Sequence, residues 1–132
     1  MVKKITLSTR AKTEVINVTD QLAGMVNGVA NGIALFYTPH TTAALLMCED
    51  DEELRRDLAR VAEEWLTGLR PFAHIRNNNP NAEAHIFSAF GGTNLAVAIE
   101  SQKLDLGKYQ NILLLEMDGP KEREIRCQVV GA

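Results

Sequence analysis

A chain of 132 residues, 45% of them hydrophobic and carrying a net charge of −3, reads as one domain over 1–132 with a core of its own. An isoelectric point near 5.6 leaves no excess of Lys and Arg to neutralise a phosphate backbone, which excludes nucleic acid as the main partner. No stretch approaches the roughly 20 apolar residues of a bilayer span, so the expectation is a soluble, cytoplasmic protein with no membrane partner. Cys48 and Cys127 stand far apart in no metal-type spacing, and read as two reduced thiols.

In chain order, Lys3 to Thr9 and Glu14 to Val18 read as strands. Thr19-Asp20 offers an N-cap, and Leu22, Met25, Val26 and Val29 have the spacing of a short amphipathic helix ending near Gly32. Ile33 to Tyr37 and Thr42 to Met47 are apolar runs with the length of buried strands, separated by a bend at Pro39-His40. The acidic run Glu49–Glu53 heads the main helix, expected over about 51–68, with Leu54, Leu58, Val61 and Trp65 on one face. Residues 71–83 form a polar loop with the run Asn77-Asn78-Asn79-Pro80-Asn81. A short helix over Ala84–Phe90 follows and ends at Gly91-Gly92. Leu95–Ile99, Asn111–Met117 and Glu124–Val130 read as strands, with Asp118-Gly119-Pro120 as the turn of a hairpin between the last two. Helices and strands do not alternate, so the expected class is α+β: a mostly antiparallel or mixed sheet system, one main helix and one or two short ones.

The chain has three histidines, His40, His74 and His85, and neutral imidazole is the commonest protein ligand for a transition metal. Three imidazoles with one open position is a catalytic zinc arrangement, yet spacings of 34 and 11 residues match no local zinc motif. Each histidine also reads as a surface or hydrogen-bonding residue with a role of its own. Thr41 and Thr42 set two hydroxyls beside His40, suited to holding a phosphate or orienting a water, or simply to bridging a bend. Glu49 is a candidate general base, and equally an ordinary acid at a helix start. Ser88, Gly92 and Thr93 belong to a polar, glycine-bearing segment whose backbone N–H groups suit an anion, although Gly-Gly turns are ordinary helix ends. Gln110 and Glu116 share a strand face if the strand is regular. A carboxylate among Leu113, Leu114, Leu115 and Met117 needs a partner, either a catalytic group or an arginine. Arg123 and Arg126 are candidates for phosphate contact, or edge charges on a solvated turn.

As an ordered set these residues resemble the YjbQ family. The likeness lies in Pro39-His40-Thr41-Thr42-Ala43-Ala44-Leu45, Glu49 with Asp57-Leu58, His74 and Asn77, and Ala84-His85-Ile86 with Ser88 and Gly92. It continues through Leu106-Gly107 with Gln110, Glu116-Met117-Asp118-Gly119-Pro120 and Gly131. Tyr109 stands where members often have Trp, and Lys121 where Arg usually follows the Gly-Pro. The resemblance implies a compact α+β protein forming a homotrimer. It also implies that His40, His74 and His85 hold a divalent metal, zinc or, with a diphosphate substrate, magnesium. The activity implied is a secondary thiamine-phosphate synthase reaction, which joins a pyrimidine diphosphate to a thiazole phosphate and releases pyrophosphate. Two other readings stay open: a metal-dependent phosphate-ester hydrolase, and a non-enzymatic binder of a phosphorylated small molecule.

Overall fold

A computed structural model gives the structure, which describes residues 1–74 and 81–131; part of the asparagine-rich loop, with Asn77, lies outside the described residues. Eight strands form two antiparallel sheets. The larger takes β1 (Lys3–Ser8), β8 (Glu122–Gly131), β3 (Gly32–Tyr37), β5 (Asn94–Glu100) and β6 (Lys103–Leu104) in that spatial order. The smaller takes β2 (Glu14–Asn17), β7 (Asn111–Glu116) and β4 (Ala43–Cys48).

The sheets face one another, and their inner side chains make the main core. Strand alternation supplies it: Ala34 and Phe36 of β3, Val97 and Ile99 of β5, and Ile125 and Cys127 of β8 point inward from the larger sheet. Ala43, Leu45, Ile112 and Leu114 meet them from the smaller one. Helix α1 (Thr19–Gly24) drives Leu22 into one end of this layer. The other face of the smaller sheet is covered by α2 (Glu52–Glu64) and α3 (Ala82–Gly91), with Ala44 and Leu115 meeting Ala62 and Ala84. The strand β7 is therefore apolar on both faces, and Ile112 to Glu116 are all buried.

The expected main helix is real but shorter. Asp51 caps it, its Oδ1 accepting the Leu54 N–H at 2.6 Å, and after α2 ends a 3-10 turn covers Thr67–Leu69. Its inward seam also differs. Leu54, Leu58, Ala62 and Leu66 face the sheet, while Val61 and Trp65 sit on the rim, Trp65 edge-on to Phe87 at 5.2 Å between ring centres. The apolar residues after α1 pack as turns, because the helix stops at Gly24.

One expectation fails: β7 and β8 are not a hairpin. They lie in different sheets, and Asp118-Gly119-Pro120 carries the chain across from one to the other. Both edges of β7 are occupied by β2 and β4, so no edge remains for β8. The crossing segment bonds instead to the stretch after β1. Gly119 N–H donates to the Lys12 carbonyl at 3.0 Å, and Thr9 N–H to the Lys121 carbonyl at 2.8 Å. Gly119 fits only as glycine, since a Cβ there would lie 2.2 Å from the Ala11 carbonyl oxygen and 2.9 Å from Glu116 Cγ. Gly119→Ala is expected to destabilise the protein by about 1–3 kcal/mol, read as a lower urea midpoint with an unchanged slope.

Candidate active site

The crossing brings a carboxylate and a guanidinium into the interior. Glu116, at the end of β7, is fully buried, and Arg123, near the start of β8, is 3% exposed. Arg123 Nε donates to Glu116 Oε1 at 2.8 Å, and its Nη2 donates to Oε2, a two-pronged pair. The remaining lone pairs of Glu116 are also used. Thr9 hydroxyl donates to Oε1 at 2.7 Å, and the Met117 and Asp118 N–H groups donate to Oε2 at 3.0 and 3.1 Å. Burial alone would raise the Glu116 pKa. The hydrogen bonds from Arg123, Thr9 and Asp118 N–H, with the Arg123 charge, outweigh it and hold the carboxyl below its ordinary value. The partner that this carboxylate required is thus an arginine.

Arg123 then reaches outward, its Nη2 donating to Thr42 Oγ1 at 2.7 Å. This anchors the chain entering β4 just where Thr41 and His40 precede it. His40 is held from the other side, its Nε2 accepting the Glu124 backbone N–H at 3.0 Å. Burial, then the Arg123 charge, lower the His40 pKa, against an opposite pull from Glu124 and Glu116. An open pocket of about 440 Å³ is lined by His85 of α3 together with His40, Thr41 and Thr42. The crossing segment closes the pocket with Asp118, Lys121 and Glu122, and Arg123 forms part of its wall.

Asn81, immediately before α3, links the parts. It stands where an N-cap is usual, yet its side chain makes no cap bond. Its Nδ2 donates to Asp118 Oδ2 at 2.9 Å, and its Oδ1 is 3.1 Å from His74 Nε2. A carboxylate only accepts, so the amide must turn its oxygen to His74, and His74 carries its proton on Nε2. Lys121 Nζ donates to the same Asp118 oxygen at 2.8 Å. His74 meets His85 edge to face, 4.9 Å between ring centres.

The structure therefore brings His40, Thr41, Thr42, His85 and Arg123 to one pocket, with His74 beside it. It does not bring the other candidates there. Glu49 is exposed beyond the far end of β4, roughly 20 Å of strand from Thr42. Gln110 stands before the opposite end of β7 and accepts the Gly107 N–H at 2.7 Å, closing a local turn. Ser88 is buried and donates to the Ala43 carbonyl at 2.6 Å, which pins α3 to β4. The Gly92 carbonyl accepts the Leu45 N–H, and the Thr93 carbonyl accepts the Thr38 N–H, so this glycine segment joins strands. Arg123 is spent on Glu116 and Thr42. Asn81 was missed; its linking role depends on Asp118, 37 residues away, and has no local signature.

Among the described residues, no three His, Cys, Asp or Glu side chains converge on a point where they would hold a metal ion. In addition, His40 Nε2 already accepts a backbone N–H. Three imidazole ligands do not fit this arrangement.

Glu116→Gln leaves the Arg123 charge buried without its counter-charge and is expected to cost about 3–5 kcal/mol, measured by urea unfolding at neutral pH. The sign with pH follows from the lowered carboxyl pKa. Its contribution is present above the ordinary carboxylate value and is lost as pH falls through the folded one. The difference between wild type and Glu116→Gln should therefore shrink on acidification.

Similar proteins agree with this architecture. The sequence profile described as UPF0047 protein YjbQ-like matches residues 3–132. A UPF0047 protein of Archaeoglobus fulgidus is 38% identical over 122 residues, 92% of this chain and 95% of that protein. The UPF0047 protein YugU of Bacillus subtilis is 31% identical, covering 99% of this chain and all of its own. A crystal structure of a YbjQ-like protein of unknown function from Sulfolobus solfataricus is 32% identical with a TM-score of 0.93, covering 100% of this chain and 97% of that one. With its profile matched along almost the entire length, this chain belongs to the YjbQ-like UPF0047 family.

Proposed function

We propose that the chain is a small-molecule enzyme acting on a phosphorylated substrate in the pocket between His40 and His85. The observation that carries this reading is the convergence there of two imidazoles, two threonines and the cations Lys121 and Arg123, which are paired with Asp118 and Glu116. Such a set suits an oxyanion: hydroxyl and imidazole groups donate to phosphate oxygens, while fixed cations hold charge that develops as a phosphate departs. The coupling implied by the family resemblance fits this chemistry. The carbon–oxygen bond to the diphosphate breaks with both electrons passing to oxygen, the thiazole nitrogen lone pair forms the new carbon–nitrogen bond, and pyrophosphate leaves. His85, which lines the same pocket as His40, would donate a proton to a departing phosphate oxygen.

A second reading, metal-dependent phosphate-ester hydrolysis, is favoured by one observation, the close edge-to-face pair of His74 and His85. A zinc ion would polarise a phosphoryl oxygen or activate water if bound there. His40 does not fit as the third ligand, because its Nε2 accepts the Glu124 N–H.

His85→Ala should lower turnover of a pyrimidine diphosphate with a thiazole phosphate by about 100-fold or more, with folding unchanged by circular dichroism. An unchanged rate would sink the reading. Release of inorganic phosphate from simple phosphate esters, without coupling, would favour the hydrolase.

The homotrimer belongs to the same proposal. Ile33 and Val130 are cross-strand neighbours on the outer face of the larger sheet, 54% and 69% exposed, with Leu35 beside them. A contiguous apolar face of this kind marks an interaction surface. Light scattering should give three 14.6 kDa chains, about 44 kDa, and Ile33→Asp should shift the mass toward a single chain.

A further inference from the structure

The bond on one edge of the His40 ring decides what the other edge can do. Strand β3 ends with Tyr37 opposite Arg126. Two residues further in that register, Pro39 comes opposite Glu124. Proline has no N–H to give the Glu124 carbonyl, so that half of the strand pair is lost, although the proline carbonyl remains an acceptor. Two side chains satisfy the Glu124 backbone instead. Thr38 hydroxyl donates to the Glu124 carbonyl at 2.9 Å, and Glu124 N–H donates to His40 Nε2 at 3.0 Å.

An N–H donor requires a lone pair, so Nε2 bears no proton. Flipping the ring would set Cε1–H against the Glu124 N–H, which closes the alternative. A neutral imidazole holds one proton, and here it must sit on Nδ1. Burial and the neighbouring Arg123 charge favour the neutral ring. Among the described residues Nδ1 has no hydrogen-bond partner, while the ring lines the pocket. A metal on Nδ1 would need that last proton removed as well.

We infer that His40 is a fixed Nδ1–H donor to a phosphate oxygen of the ligand and not a metal ligand. This rests on the phosphate-handling reading of the pocket. The competing role is purely structural, with His40 serving only to finish the β3–β8 edge. Two variants separate them. Glutamine sets Oε1 where Nε2 lies, so His40→Gln keeps an acceptor for Glu124 N–H and loses the Nδ1–H. Asparagine sets an N–H near Nδ1 and leaves Glu124 N–H without its acceptor.

The test uses the full chain labelled with ¹⁵N-histidine, whose three imidazoles are read by long-range ¹H–¹⁵N correlation during titration with inorganic pyrophosphate. One ring should show the Nδ1–H tautomer and be absent from His40→Gln, and its Nδ1 signal should move as pyrophosphate binds. His40→Gln should keep a near wild-type urea midpoint and bind pyrophosphate about tenfold or more weakly. His40→Asn should lose stability and retain more of the affinity. The inference is overturned if His40 is the Nε2–H tautomer, or if stoichiometric zinc displaces a His40 nitrogen signal. It is also overturned if a folded His40→Gln binds pyrophosphate as wild type does. If His40→Gln does not fold, the wild-type spectrum decides: a His85 signal that moves while His40 Nδ1 stays put removes the donor and leaves the pocket standing. No binding by wild type removes the phosphate reading, and the inference with it.

Discussion

The buried pair of Glu116 and Arg123 is the constraint on which the site depends. Seven residues separate them, and within that distance the chain leaves the smaller sheet and enters the larger one. Taking two charges out of water is costly, and it is tolerated here because every lone pair of the carboxylate is met. Those partners are what order the site. Thr9 comes from the end of β1, the Met117 and Asp118 N–H groups from the crossing segment, and Thr42 from the entry to β4. One charge pair thus sets the relative positions of three chain segments, and the pocket is the space left between them and α3. An apolar pair of the same volume would fill the interior equally well, but it would not direct Thr42 or hold a positive charge in the pocket wall.

A second constraint is proline at residue 39. It has no N–H to give the Glu124 carbonyl, which accepts from the Thr38 hydroxyl instead, while His40 Nε2 accepts the Glu124 N–H. The imidazole is therefore oriented by the same bond that ends the sheet, and its tautomer follows from that bond. In the same pocket, Asp118 turns the Asn81 amide, and the amide oxygen accepts a hydrogen bond from His74 Nε2. The two rings are held differently: His40 accepts at Nε2, and His74 donates from it.

Much of the fold was legible along the chain. The strands read over Lys3–Thr9, Glu14–Val18, Ile33–Tyr37, Leu95–Ile99 and Glu124–Val130 fall within two residues of β1, β2, β3, β5 and β8. The acidic run before Leu54 located α2, since Asp51 caps it and acids suit a helix start. The twist of α2 about its own axis was not legible. Val61 and Trp65 match the apolar spacing as well as Ala62 and Leu66 do, and only the position of the smaller sheet chooses between them. The hairpin expected at Gly119-Pro120 failed for a similar reason. Turn residues report that the chain bends, but not which edge is free to receive the next strand.

For the site, residue type determined part of the answer and spatial arrangement the rest. By itself the sequence identified His40, Thr41, Thr42, His85 and Arg123 as chemically capable, and it required a partner for a carboxylate set among leucines. Those conclusions need only side-chain chemistry and the local pattern. The tertiary structure decided that Arg123 is the partner, and that Asn81, Asp118 and Lys121 join the pocket. It also placed Glu49 and Gln110 at the far ends of their strands. Hydrogen bonds between residues tens of positions apart leave no periodicity to read, so membership of the site was settled only when the two sheets packed.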